Sequence, residues 1–358
     1  MRYILRTSYE QDVRLFREGL PQYGWYLGWL ALALVAPLFL GVHLVSQLTF
    51  ILIFAIAGVG FQLLLGFCGL LSLGQAAFLA IGAYACIFLE KQGVPFLGAL
   101  GLSAVITAAA GAALGLPVLR LKGLYLAMAT MSLGFIVEEV AARWTAVTGG
   151  NAGTLVPPAT VLGYPVGNDI PFYFLCLGLC LIALWLAANI LRGPTGRAMV
   201  AVRDSQIAAQ SMGIEVARVK TTAFALSAFF TGIAGALLAH KLTFITPEQF
   251  GINVSIEMLT LVVVGGLGSL YGVVFGAAFI ILLPQVIGEL RGLLPDAIAN
   301  QTGIETAFFG LVLILFIIVE PGGIYGRWQS LRQYWKEFPF CKAGSFKRQR
   351  SFLKSERW

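Results

Sequence analysis

Few residues of this sequence have the types and spacing that support metal binding or catalysis. There are five cysteines, and Cys176 and Cys180 are four residues apart, which places them on one face of a predicted helix. Neither of the two histidines, His43 and His240, is near them in sequence. Structural zinc usually takes four cysteine or histidine ligands. The sequence therefore predicts no metal site, and the cysteines are expected to be small apolar packing residues.

The motifs of enzymes and nucleotide-binding proteins are also missing. The sequence has no Gly-x-Ser-x-Gly nucleophile motif and no His-Glu-x-x-His zinc motif. It has no Gly-x-x-x-x-Gly-Lys-Ser/Thr loop that could hold ATP phosphates. The chain is predicted to be neither an enzyme nor a cofactor-binding protein. Any ATP that drives it would be bound by another chain.

Acidic residues within the apolar runs are sparse. Glu138, Glu139 and Glu257 all fall near predicted outer ends of spans, where water is close. A proton-coupled transporter more often carries such groups at mid-depth, beside a relay partner. Snorkelling or contacts between helices explain these three residues. Their positions favour a protein that does not couple transport to ions.

Small residues are concentrated in two similar stretches. GLLSLGQAAF (69–78) and GLGSLYGVVF (266–275) each place Gly and Ser-Leu ahead of a small-residue helix, which suggests a faint repeat. Interrupted helices at matching positions of two halves often line a transport pathway, whereas the alternative is close helix packing. The pathway candidates are Gln62, Gly69, Ser72, Gly74, Gln75, Gly265, Gly266, Gly268 and Ser269.

The connection 192–220 is polar but reads as helical. Gly193, Pro194 and Gly196 end the preceding helix. Ser205 is a candidate N-cap for a short helix that ends at Gly213 as its C-cap. This helix is either an amphipathic surface helix or an element that docks into a groove of a soluble partner.

Composition determines what must surround these elements. Of 358 residues, 58% are hydrophobic and 11% are charged, against roughly 25% charged in an average soluble domain. One or two protein cores cannot bury that much apolar surface. The long apolar runs have the length of helices that cross a bilayer. The predicted fold class is therefore an all-α polytopic membrane protein.

Ten spans are predicted along the chain. They are placed at 25–42, 47–66, 72–89, 96–117, 123–142, 172–191, 221–240, 256–270, 273–290 and 304–319. The span at 256–270 is short and could be full or re-entrant. The first span has no cleavage region after it, so it is expected to be retained.

Charge orients these spans. With both termini cytoplasmic, 20 of the 24 Lys and Arg residues fall on the inner side, as the positive-inside rule requires. The predicted organisation is a cytoplasmic segment 1–24, a transmembrane domain 25–326 with the inner loop 192–220, and a basic tail 327–358. The tail is expected to contact anionic lipid or, alternatively, a partner protein. Nucleic acid binding is not expected.

Several ordered motifs carry a resemblance to a known family. GRAMVAVRDSQIAAQSMGIEVARVKTTAFALSAFFTGIAGAL, starting at Gly196, resembles the cytoplasmic coupling region of permease subunits of branched-chain amino acid ABC importers of the LivM type. GFCGLLSLGQAAFLAIGAY, LKGLYLAMATMSLGFIVEE followed by TGGNAG, and VVVGGLGSLYGVVFGAA match the same family in order. The resemblance runs from about residue 48 to about residue 326.

The resemblance implies a type II ABC importer architecture in a bacterial inner membrane. It implies a second, similar permease chain, two cytoplasmic ATPase subunits that bind the ATP, and a periplasmic binding protein that delivers the solute. By likeness, Ala208, Ala209 and Gly213 belong to the coupling helix, and Arg203 and Asp204 flank it.

The sequence leaves more than one solute and more than one transport mechanism open. The family carries leucine, isoleucine and valine, while close relatives carry other amino acids, amides or urea, and the binding protein largely sets the selectivity. A self-contained secondary transporter is the alternative of a different class. It predicts charges at mid-membrane depth and no docking helix.

Overall fold

The computed structural model describes residues 39–118, 123–161 and 169–291 continuously. It also describes 28, 31, 33–37, 121, 164–165, 310–311, 314, 318, 322–328 and 331. The predicted span 304–319, the N-terminal segment 1–24 and the basic tail lie wholly or largely outside the described residues, and the predicted span 25–42 is described only in part.

The described chain is predominantly helical. In order, its helices are α1 Val42–Phe61, α2 Gln75–Lys91, α3 Phe96–Val118, α4 Leu124–Arg143, α5 Thr145–Thr148, α6 Asp169–Arg192, α7 Pro194–Asp204, α8 Gln206–Ser211, α9 Val216–Leu242, α10 Ile252–Gly265 and α11 Gly272–Arg291. A π-helical segment, Gln62–Phe67, continues α1, and 3₁₀ turns form at Gly150–Ala152 and Pro247–Phe250. Each span predicted between 47 and 290 coincides with one of these helices.

Six helical stretches of the described chain are long and apolar enough to cross a membrane. They are Val42–Phe67, Phe96–Gly115, Leu124–Arg143, Asp169–Arg192, Val216–Leu242 and Pro247–Gly265. Helix α2 has 17 residues, or about 25 Å at 1.5 Å per residue, less than the roughly 30 Å of a hydrocarbon core. By its length alone, α2 is therefore not among the six stretches.

Helix α9 is the centre of the bundle and packs against α1, α2 and α3. Glycines bring its backbone close to that of α2. A Cβ on Gly235 would lie 2.1 Å from the Leu79 carbonyl oxygen, and one on Gly82 would lie 2.4 Å from the Gly232 carbonyl oxygen. Contacts this close exclude any larger side chain and maximise van der Waals packing between membrane helices.

Side-chain contacts define two ends of the bundle. At the first, called the Lys241 end, Lys241 donates to the carboxylate of Asp169 at 2.6 Å, joining the end of α9 to the start of α6. At the opposite end, called the Arg203 end, Arg203 of α7 donates to the Gly66 carbonyl oxygen at the end of the π segment. Helices α2 and α9 both finish at the Lys241 end.

Short strands occur beside the Lys241 end. Strand β1, Thr154–Leu155, pairs antiparallel with β4, Phe244–Ile245, with Thr154 opposite Ile245. Strands β2, Thr160–Val161, and β3, Tyr164–Pro165, form a small antiparallel pair. The β1–β4 pair ties the long connection after α4 to the chain that leaves α9.

Candidate functional site

Gln62 joins the end of α1 to the turn between α10 and α11. Its side chain is fully buried in the π-helical segment, a widened form of helix that recurs at functional sites. The side-chain Nε2 donates to the carbonyl oxygens of Gly266, at 3.0 Å, and Ser269, at 3.2 Å. The buried amide thus donates to two carbonyls of a non-helical turn, whose backbone groups lack helical partners.

The turn that Gln62 holds, residues 266–271, requires glycine. Gly266 and Gly268 adopt φ angles of +113° and +83°, which side chains with a Cβ rarely accept. Gly265 and Gly272 lie back to back, and a Cβ on Gly265 would be 2.4 Å from the Gly272 carbonyl oxygen. Ser269 Oγ accepts from the Gly272 N–H at 3.1 Å. The turn is a tight, ordered junction between two antiparallel helices.

The first junction in chain order, residues 68–74, is irregular and largely buried, and the turn 266–271 is the second. Side-chain hydroxyls supply its backbone partners: Thr130 Oγ1 accepts from the Leu73 N–H at 2.9 Å, and Ser72 Oγ accepts from the Gly74 N–H at 3.3 Å. Just beyond it, Ser255 Oγ accepts from the Ala76 N–H at 3.0 Å. Non-helical backbone at membrane depth needs such internal partners.

Arg203 brings the two junctions together at one side chain. Its guanidinium donates to the Gly66 carbonyl oxygen, beside the first junction. A Cβ on Gly69 would lie 3.1 Å from Arg203 Cγ, and one on Gly268 would lie 3.3 Å from Arg203 Nη1. The inner loop and both glycine stretches are therefore in contact, although more than 130 residues separate Gly66 from Arg203.

The helix predicted after Ser205 is present. Ser205 Oγ accepts from the Ala208 N–H at 3.3 Å, which confirms it as the N-cap of α8. Gly213 follows the helix with a φ of +81°, as a left-handed C-terminal residue does. Asp204 and Ala208 are exposed, whereas Ala209 is buried in the core. Ala209 therefore packs α8 against its own chain.

Gln75 lies apart from the junction surface. It is fully buried, and its Nε2 donates to Ser227 Oγ at 3.3 Å while its Oε1 accepts from Thr231 Oγ1 at 3.2 Å. These bonds join α2 to α9 inside the bundle. The amide is thus a polar contact between two helices, and its predicted place on the pathway stays a prediction.

A Gln75→Leu substitution is expected to destabilise the protein by about 1–3 kcal/mol, because it leaves buried hydroxyls of Ser227 and Thr231 without their partner. Thermal unfolding of the purified protein in mild detergent measures this loss. Gln210→Leu, at an exposed position of α8, is the control and should leave the midpoint unchanged. Equal midpoints for the two variants would contradict the buried network.

Sequence reasoning found the glycines but missed three buried polar residues of this region. Thr130 and Ser255 bind the first junction, and Lys220 is a buried lysine in the second turn of α9. A hydroxyl within an apolar run is common and gives little signal. Lys220 stands one residue before the predicted span 221–240, whereas α9 begins at Val216 and includes it.

The accessible face of the two junctions is small and mixed in character. Gly69, Leu267 and Tyr271 are exposed, while Gly268 and Ser269 are half-buried. Two interrupted helical segments thus meet within a bundle of long apolar helices and contact α7 through Arg203. The long apolar helices define a polytopic membrane protein, and interrupted helices of this kind are typical of transport proteins.

The chain matches, over residues 43–317, the family described as the permease component of the branched-chain amino acid transport system, and it belongs to that family. The high-affinity branched-chain amino acid permease LivM of Salmonella typhimurium is 35% identical over 82% of this chain and 73% of its own length. LivM of Escherichia coli shows the same identity and coverage. BraD of Pseudomonas aeruginosa is 24% identical over 80% of this chain and 95% of BraD.

No solved structure matches the chain. The family places the protein among permeases of bacterial importers, which reside in the inner membrane. The long apolar helices of the bundle accord with that location.

Proposed function

We propose that this chain forms one half of the translocation pathway of an ATP-driven importer for branched-chain amino acids. The observation that carries the proposal is the contact of Arg203 with both interrupted junctions. Arg203 lies in the last turn of α7, immediately before α8, the proposed coupling helix. A displacement of α8 would therefore be transmitted to the two non-helical turns inside the bundle. The substrate class follows from the names of LivM and BraD.

The membrane topology is proposed as ten spans with both termini in the cytoplasm, in a type II importer architecture. The helices at the predicted positions between 47 and 290 and the distribution of Lys and Arg support it. The Arg203 end is then cytoplasmic and the Lys241 end faces the periplasm. We propose a transmembrane domain at 25–326, which includes the cytoplasmic coupling loop 192–220. The basic tail 327–358 would lie in the cytoplasm.

Helix α8 is the proposed docking element for an ATPase subunit. Ile207 and Met212 expose 80% and 83% of their surface at the Arg203 end. Large apolar side chains on a short external helix are suited to a groove of a soluble partner. Two ATPase subunits would bind the ATP, since this chain has no phosphate-binding loop. Asp204, Ala208 and Gly213 lie beside the proposed contact.

Helix α4 is the proposed boundary with a second permease chain. Tyr125, Met128 and Ile136 expose more than half of their surface along it. At the Lys241 end, a cleft of about 960 Å³ opens beside Phe135 and Glu138. The apolar stripe of α4 would line the shared pathway, and a periplasmic binding protein would deliver the solute at the cleft.

Placing a glutamate at Ile207 or Met212 should reduce ATPase binding by roughly tenfold or more, because a charge would then be buried in the apolar contact. The measurement is recovery of the ATPase subunits with the tagged chain in mild detergent. Leu155→Glu changes an equally exposed apolar residue at the opposite end and should leave recovery unaltered. Full recovery with both α8 variants would remove α8 as the docking element.

The proposed function itself is tested by mass spectrometry of the proteins that accompany the purified chain. Recovery of two P-loop ATPases and a second permease is expected. A chain that purifies alone and still transports an amino acid would overturn the proposal in favour of a secondary transporter.

A further inference from the structure

A cluster of three potential metal ligands lies at the Lys241 end, away from the junctions. Cys86 and Glu90 occupy successive turns of α2, and His240 lies in the last turn of α9. Their ligand atoms all lie within 4.8 Å of one another. The His240 and Glu90 side chains are only 2% and 7% exposed. His240 is 150 residues from Glu90 in sequence, which explains why the sequence predicted no metal site.

The imidazole of His240 is held in the orientation that a ligand needs. Its Nδ1 lies 2.8 Å from the Ala236 carbonyl oxygen. A carbonyl can only accept, so Nδ1 carries the proton, and Nε2 faces Glu90. Metal-binding histidines are typically fixed in this way, by donating the second ring N–H to a backbone carbonyl. The ring edge of Phe96, with centroids 4.7 Å apart, packs against the imidazole.

The distances between the ligand atoms suit a single ion. Nε2 of His240 lies 3.0 Å from the Glu90 carboxylate, and Sγ of Cys86 lies 3.7 Å from it. Zinc bound to sulfur, nitrogen and oxygen at its usual bond lengths separates such atoms by roughly 3.3–3.7 Å. Small rotations of the side chains would therefore complete the geometry.

The electrostatics of the cluster favour a cation. Glu90 is a buried carboxylate, and the cationic residues next to it and next to His240 are bound elsewhere: Lys91 donates to Thr154 Oγ1, and Lys241 pairs with Asp169. Without an ion, Nε2 and the carboxylate must share a proton, because two lone pairs would otherwise face each other in a buried site. A divalent cation can replace that proton and the thiol proton.

From this geometry we propose that Cys86, Glu90 and His240 form a binding site for a divalent transition-metal ion of the zinc class. Thiolate, imidazole and carboxylate are the ligand types of zinc, whereas magnesium and calcium take oxygen ligands. Three protein ligands leave a fourth position for water. The exposed turn after Lys91 is about one helical turn from the ligands and provides the entry. The ion would join α2 to α9, beyond the proposed transport function.

Cobalt titration of the full chain tests the site. The chain, purified in mild detergent through a tag without histidine, should bind one equivalent of Co²⁺ with a thiolate-to-cobalt charge-transfer absorption and release of two protons. Zn²⁺ should displace the cobalt and raise the thermal midpoint, and Mg²⁺ should do neither. Absence of the absorption would overturn the proposal and leave a proton shared by His240 and Glu90.

Matched variants locate the ion. Cys86→Ser should abolish the charge-transfer absorption, and His240→Gln should weaken metal binding by more than ~100-fold, since loss of an outer partner alone costs about 10–100-fold. Cys176→Ser removes another buried cysteine and should keep the absorption. If Cys86→Ser keeps the charge-transfer absorption, or if Cys176→Ser loses it, the assignment of the metal site to Cys86, Glu90 and His240 is wrong. The result does not depend on which partner chains accompany the protein.

Discussion

Arg203→Ala should lower ATP-driven uptake by roughly 10–100-fold while the chain still inserts into the membrane and binds the ATPase subunits. The substitution removes the hydrogen bond from the guanidinium to the Gly66 carbonyl oxygen and the contact with Gly69 and Gly268. A hydrogen bond from a charged group contributes about 1.5–3 kcal/mol, which corresponds to that fold-change. Uptake and ATPase activity, measured together in proteoliposomes, should become uncoupled.

Arg218→Ala is the matched control for this prediction. Arg218, like Arg203, is an exposed arginine of the same inner region, and its side chain, 82% exposed, pairs with Glu215 three residues earlier. An exposed pair of this kind contributes little, so uptake should be unchanged. If Arg203→Ala and Arg218→Ala transport equally well, Arg203 does not link α7 to the junctions.

Gly74→Leu should prevent transport and reduce the amount of folded protein by at least roughly tenfold. A Cβ at this position would lie 2.5 Å from the Thr130 carbonyl oxygen of α4. Because that atom is backbone, relief requires α2 and α4 to separate, and overpacking of this kind costs about 1–3 kcal/mol or more. Detergent-extracted yield and gel-filtration profile measure the folded fraction.

Gly134→Leu provides the comparison on α4 itself. No heavy atom lies within 4 Å of a Cβ at Gly134, so the larger side chain meets open space. This variant should be obtained in normal amounts. A Gly74→Leu protein that is obtained in the same folded amount as Gly134→Leu would show that the first junction tolerates separation of its helices.

Helix positions were predictable because apolar length and composition determine which segments cross a membrane. The capped helix α8 was predictable for a similar reason, since Ser205 and Gly213 are local signals. The likeness of the two glycine stretches also has a structural counterpart. Gly69 and Gly266 occupy matching places in them, and both have positive φ.

Contacts between distant segments were not predictable from one sequence. The pairing of Gln62 with Gly266 spans 204 residues, and that of His240 with Glu90 spans 150. Neither has a local signature, because a single Gln or His in an apolar run is equally compatible with many partners. The pathway role of Gln62 and Gln75 stays a prediction, and the structure shows that Gln62 bonds to the turn 266–271 whereas Gln75 bonds to α9. Only the packing of α9 distinguishes the two glutamines.

The most direct test is uptake of labelled leucine by proteoliposomes that contain this chain, its copurified permease and ATPases, and the binding protein. Uptake that requires ATP and the binding protein, and that falls roughly 10–100-fold with Arg203→Ala, is the predicted result. Uptake by this chain alone, driven by an ion gradient and insensitive to ATP, would contradict the account.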